Sequence, residues 1–187
     1  FQTVYTVNYN SQWGELFLYG DWNNTTALKL TEYKGVRVDL DNDYSGKLQI
    51  KVYGDKDGKN TDGSDKYKEQ YIPLTAGSNT SILDFDASVL GSSVMRITLQ
   101  VLEGTALTAK VNEAKLIKSD GTEVSGAISV GWGCTVTSES TPKTTAIQSI
   151  QINESDADGA IYNLQGQRIA KPHKGIYIQN GRKIIAK

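Results

Sequence analysis

Cysteine occurs once, as Cys134, so no disulfide can form within the chain. A lone thiol suits the cytosol, or an exported protein that does without disulfides. Histidine also occurs once, as His173 beside Pro172 near the chain end, and no nucleophile lies near it in sequence. A Ser-His-Asp or Cys-His arrangement therefore cannot be assembled in the larger, N-terminal part, and zinc lacks its usual ligands. No apolar run approaches the ~18 residues of a membrane-spanning helix. Neither sign of charge dominates: 20 basic and 21 acidic residues give a formal charge of −1. That balance offers no basic footprint for nucleic acid or anionic lipid. Phenylalanine is scarce, with three residues against ten Tyr and three Trp. Rings with a polar handle suit half-exposed positions and binding faces, although β proteins are Tyr-rich in general.

At 187 residues the chain accommodates one ordinary domain plus a small appendage. It begins at Phe1 with neither Met nor a signal peptide and reads as a piece of a longer precursor. Period-two alternation recurs, and helical spacing sustained over three turns does not. Val36, Val38 and Leu40 alternate with Arg37 and Asp39; Leu48, Ile50 and Val52 with Gln49, Lys51 and Tyr53; Met95, Ile97, Leu99 and Val101 with Arg96, Thr98 and Gln100. Further strands are expected at Thr3–Tyr9, Glu15–Tyr19, Gln70–Leu74, Ser81–Phe85, Ala109–Ile117 and Ile128–Thr137. The connections, such as "DNDYSG", "DKDGKNTDGSD" and "TAGSN", are rich in turn formers, and Asp120-Gly121 reads as a tight hairpin. The expectation is an all-β, antiparallel β-sandwich of jelly-roll type with a small C-terminal β appendage, a closed barrel being the structural alternative. A sandwich of roughly 140 residues buries about two-thirds of its unfolded surface and needs no disulfide or metal.

From Thr135 to Thr145 ("TVTSESTPKTT") apolar residues give way to Ser, Thr and one Pro, the composition of a linker. The expected divisions are a sandwich at 1–138, a linker at 139–146 and a tail at 147–187. The tail is too small for a substantial core of its own. Its blocks "YNLQGQR" (162–168), "KGIYI" (174–178) and "GRKII" (181–185), ahead of the terminal Lys187, closely resemble the C-terminal sorting domain of type IX secretion. That resemblance implies a bacterial protein, secreted or held at the cell surface, whose tail engages the type IX machinery. The plainer alternative is a C-terminal hairpin that completes the sandwich.

Residues 1–138 loosely resemble the carbohydrate-binding modules of secreted polysaccharide-degrading enzymes, in "WGELFLYGDWN", "YKGVRVDL", "LQIKVYGD" and "MRITLQVLEG". The residues argue the same way on their own. A sugar ring has a face of C–H groups and an edge of hydroxyls, so binding calls for flat aromatics and planar polar side chains. Positions opposite the expected core carry Arg37, Asp39, Gln49, Lys51, Tyr53, Arg96, Thr98 and Gln100. This palette bonds hydroxyls better than the Lys, Glu, Thr and Ser of a face meant only for water, although a solvated face is the competing explanation. Trp22 in "GDWNN" and Trp13 in "SQWGE" stand among turn formers and are expected in solvent. Trp132 in "GWGC" lies between glycines that admit a ligand or another backbone, or else it plugs the core. The candidate carbohydrate-binding residues are thus Trp22, Trp13, Tyr53, Trp132, Arg37, Gln49, Arg96 and Gln100.

Catalysis is not expected. Glycoside hydrolysis needs only two carboxylates, and 21 acidic residues leave a pair open, but most sit in turns where Asp is the ordinary residue. Cys134 without a His partner reads as a small buried residue. The loop "DKDGKNTDGSD" fails as an EF-hand, because counting from Asp55 the fifth, sixth and twelfth positions are Lys59, Asn60 and Lys66. No cofactor is expected, and a structural calcium elsewhere in a sandwich would leave no motif. Glycosylation-type sequons such as those at Asn24, Asn79 and Asn153 read as turn residues. The functional expectation is a non-catalytic module that holds an attached upstream glycoside hydrolase on plant-type polysaccharide of the β-glucan, xyloglucan, xylan or mannan class. The rival is an immunoglobulin-like spacer of a secreted hydrolase or protease that binds no sugar.

Overall fold

The computed structural model describes residues 2–24, 26–102, 104, 106–142 and 159–186. They belong to two compact units, Phe1–Lys143 and Thr144–Lys187. The first contains β1 (Gln2–Tyr9), β2 (Glu15–Tyr19), β3 (Leu28–Lys29), β4 (Tyr33–Leu40), β5 (Leu48–Lys59), β6 (Asp65–Pro73) and β7 (Thr80–Asp84). A single-turn helix α1 (Ala87–Leu90) follows, then β8 (Ser93–Val94), β9 (Arg96–Val101), β10 (Leu107–Lys118), β11 (Glu123–Ser125), β12 (Ser129–Trp132) and β13 (Cys134–Thr141).

Two antiparallel sheets form the sandwich. The first runs β13-β1-β10-β4-β7, with β11 added to β10, and the second runs β12-β2-β9-β5-β6. Position by position, β1, β10, β4 and β7 correspond to their chain neighbours β2, β9, β5 and β6. That is one antiparallel ribbon rolled across two layers, the jelly roll expected from the alternation. The inner faces meet in a single core to which Val7, Val38 and Val111 contribute from one sheet and Leu16, Ile50 and Leu99 from the other. The Tyr9 hydroxyl donates across the layers to the Leu99 carbonyl at 2.8 Å.

Several boundaries differ from the sequence reading. In β10, Ala109 and Val111 are buried, and so are Ala114 and Leu116, which breaks strict alternation. A register shift against β4 between Val111 and Glu113 absorbs the extra residue, so both halves of the strand turn apolar side chains inward. The expected strand Ile128–Thr137 is two strands in opposite sheets, β12 and β13, separated by Gly133 at φ +64. The Ser/Thr-rich stretch read as a linker is mostly β13, paired with β1 from Cys134 to Thr141. An edge strand exposed on most sides needs β-propensity, which Thr supplies, and not an apolar stripe. The loop "DKDGKNTDGSD" is largely ladder too: β5 and β6 extend into a long hairpin turning at residues 60–64, where Lys56 and Lys59 both pair with Asp65. Asp120-Gly121 does turn a hairpin, with the Thr122 amide donating to the Asp120 carboxylate.

In the second unit, residues 159–186 form four short strands, β14 (Ile161–Tyr162), β15 (Arg168–Ile169), β16 (Gly175–Gln179) and β17 (Arg182–Ala186), in the order β15-β14-β16-β17. Asn180 and Gly181, both at positive φ, join β16 to β17 as a two-residue turn of type I′. None of the described tail residues is buried. The stretch "AIQSIQI" lies outside the described residues. Among those described, no helix is long and apolar enough to cross a membrane.

Helix α1 rests against β5 at Gly54, where an added Cβ would come within 2.3 Å of the Leu90 carbonyl oxygen and 2.8 Å of its Cα. Both contacts are backbone, and Leu90 is fully buried. Gly54→Ala should lower stability by about 2 kcal/mol through overpacking. Urea unfolding should show a lower midpoint at an unchanged slope, and an unchanged midpoint would refute this account.

Candidate functional site

The outer face of the second sheet is not the solvated face that alternation predicts. All six residues of β9 are buried, as are Glu15, Leu16, Phe17 and Leu18 of β2. Strand register stacks the outward residues in rows: Glu15, Gln100 and Gln49; then Phe17, Thr98, Lys51 and Tyr71; then Arg96, Tyr53 and Glu69. These side chains seal one another into a second, polar and aromatic layer outside the core.

Glu15 is the hub of that layer and is 2 % exposed. Its carboxylate accepts from the Tyr53 hydroxyl at 2.8 and 2.9 Å and from Gln100 Nε2 at 2.8 Å. Gln49 Nε2 donates to Gln100 Oε1 at 2.9 Å, extending the chain one strand further. Lys51 Nζ lies 3.6 Å from Glu15 and 3.2 Å from Glu69, and the Tyr71 hydroxyl donates to Glu69. Burial first, and the Glu15 charge next, push the Tyr53 phenol well above its ordinary value. Tyr71 is raised by burial and its bond to Glu69. Both phenols stay protonated donors throughout the usual pH range. Cys134 donates its thiol to the Glu15 backbone carbonyl at 3.3 Å, and burial pushes that thiol up. It is a small packed residue, as its sequence context suggested.

Beside the hub, the Arg96 guanidinium lies over the rings of Tyr53 (3.9 Å), Trp22 (4.8 Å) and Tyr67 (4.9 Å). Its Nη1 donates to Asn24 Oδ1 at 2.6 Å, and Asn24 Nδ2 donates to the Tyr67 hydroxyl at 2.8 Å. Trp22 also packs edge-on against Phe17, with centroids 4.9 Å apart. The Asp21 carboxylate caps the turn by accepting from the amides of Asn23 and Asn24.

The structure thus gathers most of the candidate residues on one sheet but divides their roles. Trp13, Trp22 and Trp132 stand 42, 45 and 46 % exposed. Trp132 is therefore no core plug, and the space beside its glycines is filled by backbone, since a Cβ on Gly131 would fall 2.1 Å from the Glu15 carbonyl oxygen. Strand register sets Trp132 opposite Glu15, and the Trp13 carbonyl accepts from Gln100 Nε2 at 3.5 Å. Tyr53, expected as a stacking ring, is 6 % exposed and already covered by Arg96 and by Lys51 Nζ at 4.4 Å. Gln100 and Arg96 are buried, whereas Gln49 is partly open. Tyr71, at 49 % exposed, is the ring the sequence reading passed over. The signal was present, because Tyr71 alternates with Ile72 and precedes Leu74. Glu15, Phe17 and Tyr67 carried no such signal, since nothing local says that an outward residue will be covered.

Arg37 does not join them. It lies on β4 of the other sheet, where it bonds Asp39, Glu113 and Glu123. An open depression of about 480 Å³ beside this cluster is lined by Asp39, Asn112, Glu113, Gln2, Thr3 and Tyr5 among others. Among the described residues, no three of His, Cys, Asp and Glu converge in a way that could hold a metal ion. Comparison with known proteins returns nothing: no family model, no curated protein and no solved structure matches the chain.

The Arg37 cluster makes a pH-dependent contribution. Its bond to Arg37 holds Glu123 below the usual carboxylate range. For Glu113 burial opposes the shift, and bonds from Lys115 and Arg37 outweigh it, so that group is lowered too. Stabilisation from lowered carboxylates is present above their unfolded pKa, about 4.3, and is lost as pH falls through the lower folded values. Arg37→Met should cost about 1 kcal/mol at pH 7, discounted for solvent screening. The crowded carboxylates it leaves should then be relieved by protonation, so the deficit against the parent should shrink at pH 3. Equal deficits at both pH values in chemical denaturation would disprove this.

Proposed function

We propose that the chain is a non-catalytic carbohydrate-binding module whose platform is the outer face of the second sheet. One observation carries the reading: exposed rings at Trp13, Trp22, Trp132 and Tyr71 accompany a polar floor whose side chains are already locked to one another. Rings left in water gain by being covered. A floor fixed in advance loses little side-chain entropy when a ligand arrives. Gln49 and Lys51 are the floor groups placed to reach hydroxyls, while Gln100 and Tyr53 hold the floor together. Each ring covered by a sugar removes some tens of square ångströms of apolar surface, about 1 kcal/mol. Two or three such rings with a few hydrogen bonds support roughly micromolar to millimolar binding. The ligand class is plant-type polysaccharide, and the module acts by keeping an attached glycoside hydrolase near its substrate.

Affinity electrophoresis against cellulose derivatives, mixed-linkage glucan, xyloglucan, xylan, mannan and pectins tests this. One class should retard the chain, and Trp22→Ala or Tyr71→Ala should weaken that retardation by about fivefold in chains that remain folded. If no glycan retards the folded chain, the spacer reading, in which Trp13 and Trp22 meet a neighbouring domain, takes its place.

The tail carries a second proposal. Residues 147–187 serve as a type IX sorting signal, supported by the order of the blocks "YNLQGQR", "KGIYI" and "GRKII". In a bacterium with that secretion route, a periplasmic reporter fused to residues 144–187 should reach the medium or the cell surface. Retention of the fusion in the periplasm, with the reporter folded and stable, would rule the signal out.

A further inference from the structure

Arg96 is an expensive residue to keep. It is 6 % exposed, its Nε has no hydrogen-bond partner, and among the described residues no carboxylate pairs with it. A buried cation without a counter-ion is destabilising, and an apolar side chain of similar volume in its place is often neutral or better. Lys51, a second partly buried cation of the face, has two carboxylates beside it. Among the described residues, Arg96 has the faces of Tyr53, Tyr67 and Trp22 and the Asn24 amide oxygen.

Those partners fall into two groups. Tyr53 and Tyr67 belong to β5 and β6 of the sheet, whereas Trp22 and Asn24 belong to the turn after β2. The guanidinium therefore bridges sheet and turn. Asn24 sits at φ +52, a left-handed conformation that Asn tolerates but still needs fixing. It is fixed from two sides, by Arg96 Nη1 and by the Tyr67 hydroxyl. The Trp22 ring, nearly half exposed, gains too little from burial to hold the turn by itself.

We propose that Arg96 is a positioning residue: its caged guanidinium holds the Trp22 turn in the arrangement that receives a sugar, and does not itself touch the ligand. The proposal rests on the platform reading above, but it makes a claim about the order of Trp22 that can be measured with no ligand present.

The test uses the full chain carrying Trp13→Phe and Trp132→Phe, so that Trp22 is the single indole, and compares acrylamide quenching of Trp22 with and without Arg96→Met. The melting temperature should hold or rise, because a buried unpaired charge has gone. Quenching of Trp22 should increase roughly twofold as the turn loosens. In the chain with all three tryptophans, Arg96→Met should weaken glycan retention by about fivefold, and Arg96→Lys, which returns a cation over the rings, should restore part of it. Asn24→Ala cuts the same bridge from the turn side and should raise quenching as well, which keeps the test open if Arg96→Met fails to fold. Unchanged Trp22 quenching in a folded Arg96→Met or Asn24→Ala chain overturns the proposal. If Trp22→Ala leaves retention untouched, the platform reading falls, and the quenching result still decides what Arg96 does.

Discussion

A carboxylate taken out of water must find donors, and in this protein the partners of Glu15 organise one whole face. With 2 % of its surface exposed, Glu15 would be intolerable alone. It draws the Tyr53 hydroxyl, the Gln100 amide and the Lys51 ammonium toward one point on the second sheet. Those partners come from β5 and β9, so the polar layer links three adjacent strands beyond their ladder bonds. Tyr53, fixed by Glu15, then offers its ring to Arg96, and Arg96 reaches the Trp22 turn. On the proposal made for Arg96, the order of the Trp22 indole traces back to a buried acid on β2, the strand that leads into its turn.

The two sheets handle charge in opposite ways. On the first, Arg37 shares its guanidinium among three carboxylates that keep contact with water. Such a cluster tunes stability with pH and presents no assembled aromatic surface. On the second, Lys51 and Arg96 are covered by rings and Glu15 by donors, while Trp132 and Tyr71 take water-facing positions. That asymmetry between the layers is why the proposed platform is placed on the second sheet.

Much of this was readable from residue order. Alternation in "VRVDL", "LQIKVY" and "RITLQV" identified central strands and the residues facing away from the core, because side chains in a strand have a fixed period of two. Turn formers around Trp22 and Trp13 marked them as exposed, as they are. The places where the reading slipped share a cause. The bulge at Val111–Glu113, the switch of sheets at Gly133 and the Ser/Thr-rich edge strand β13 depend on what lies beside each segment, and a local pattern does not carry that.

The sequence by itself determined the fold class and the set of outward-facing planar and aromatic side chains, because periodicity and turn chemistry are local properties. Tertiary structure alone decided which of those side chains meet. It sent Arg37 to the opposite layer, buried Tyr53 beneath two cations, and left Tyr71 in the open. β2, β5 and β9 are neighbours in the sheet but far apart in sequence, so the rows Glu15–Gln100–Gln49 and Arg96–Tyr53–Glu69 exist only once register is set. Burial of a polar group follows from that register, and its partners follow from its burial.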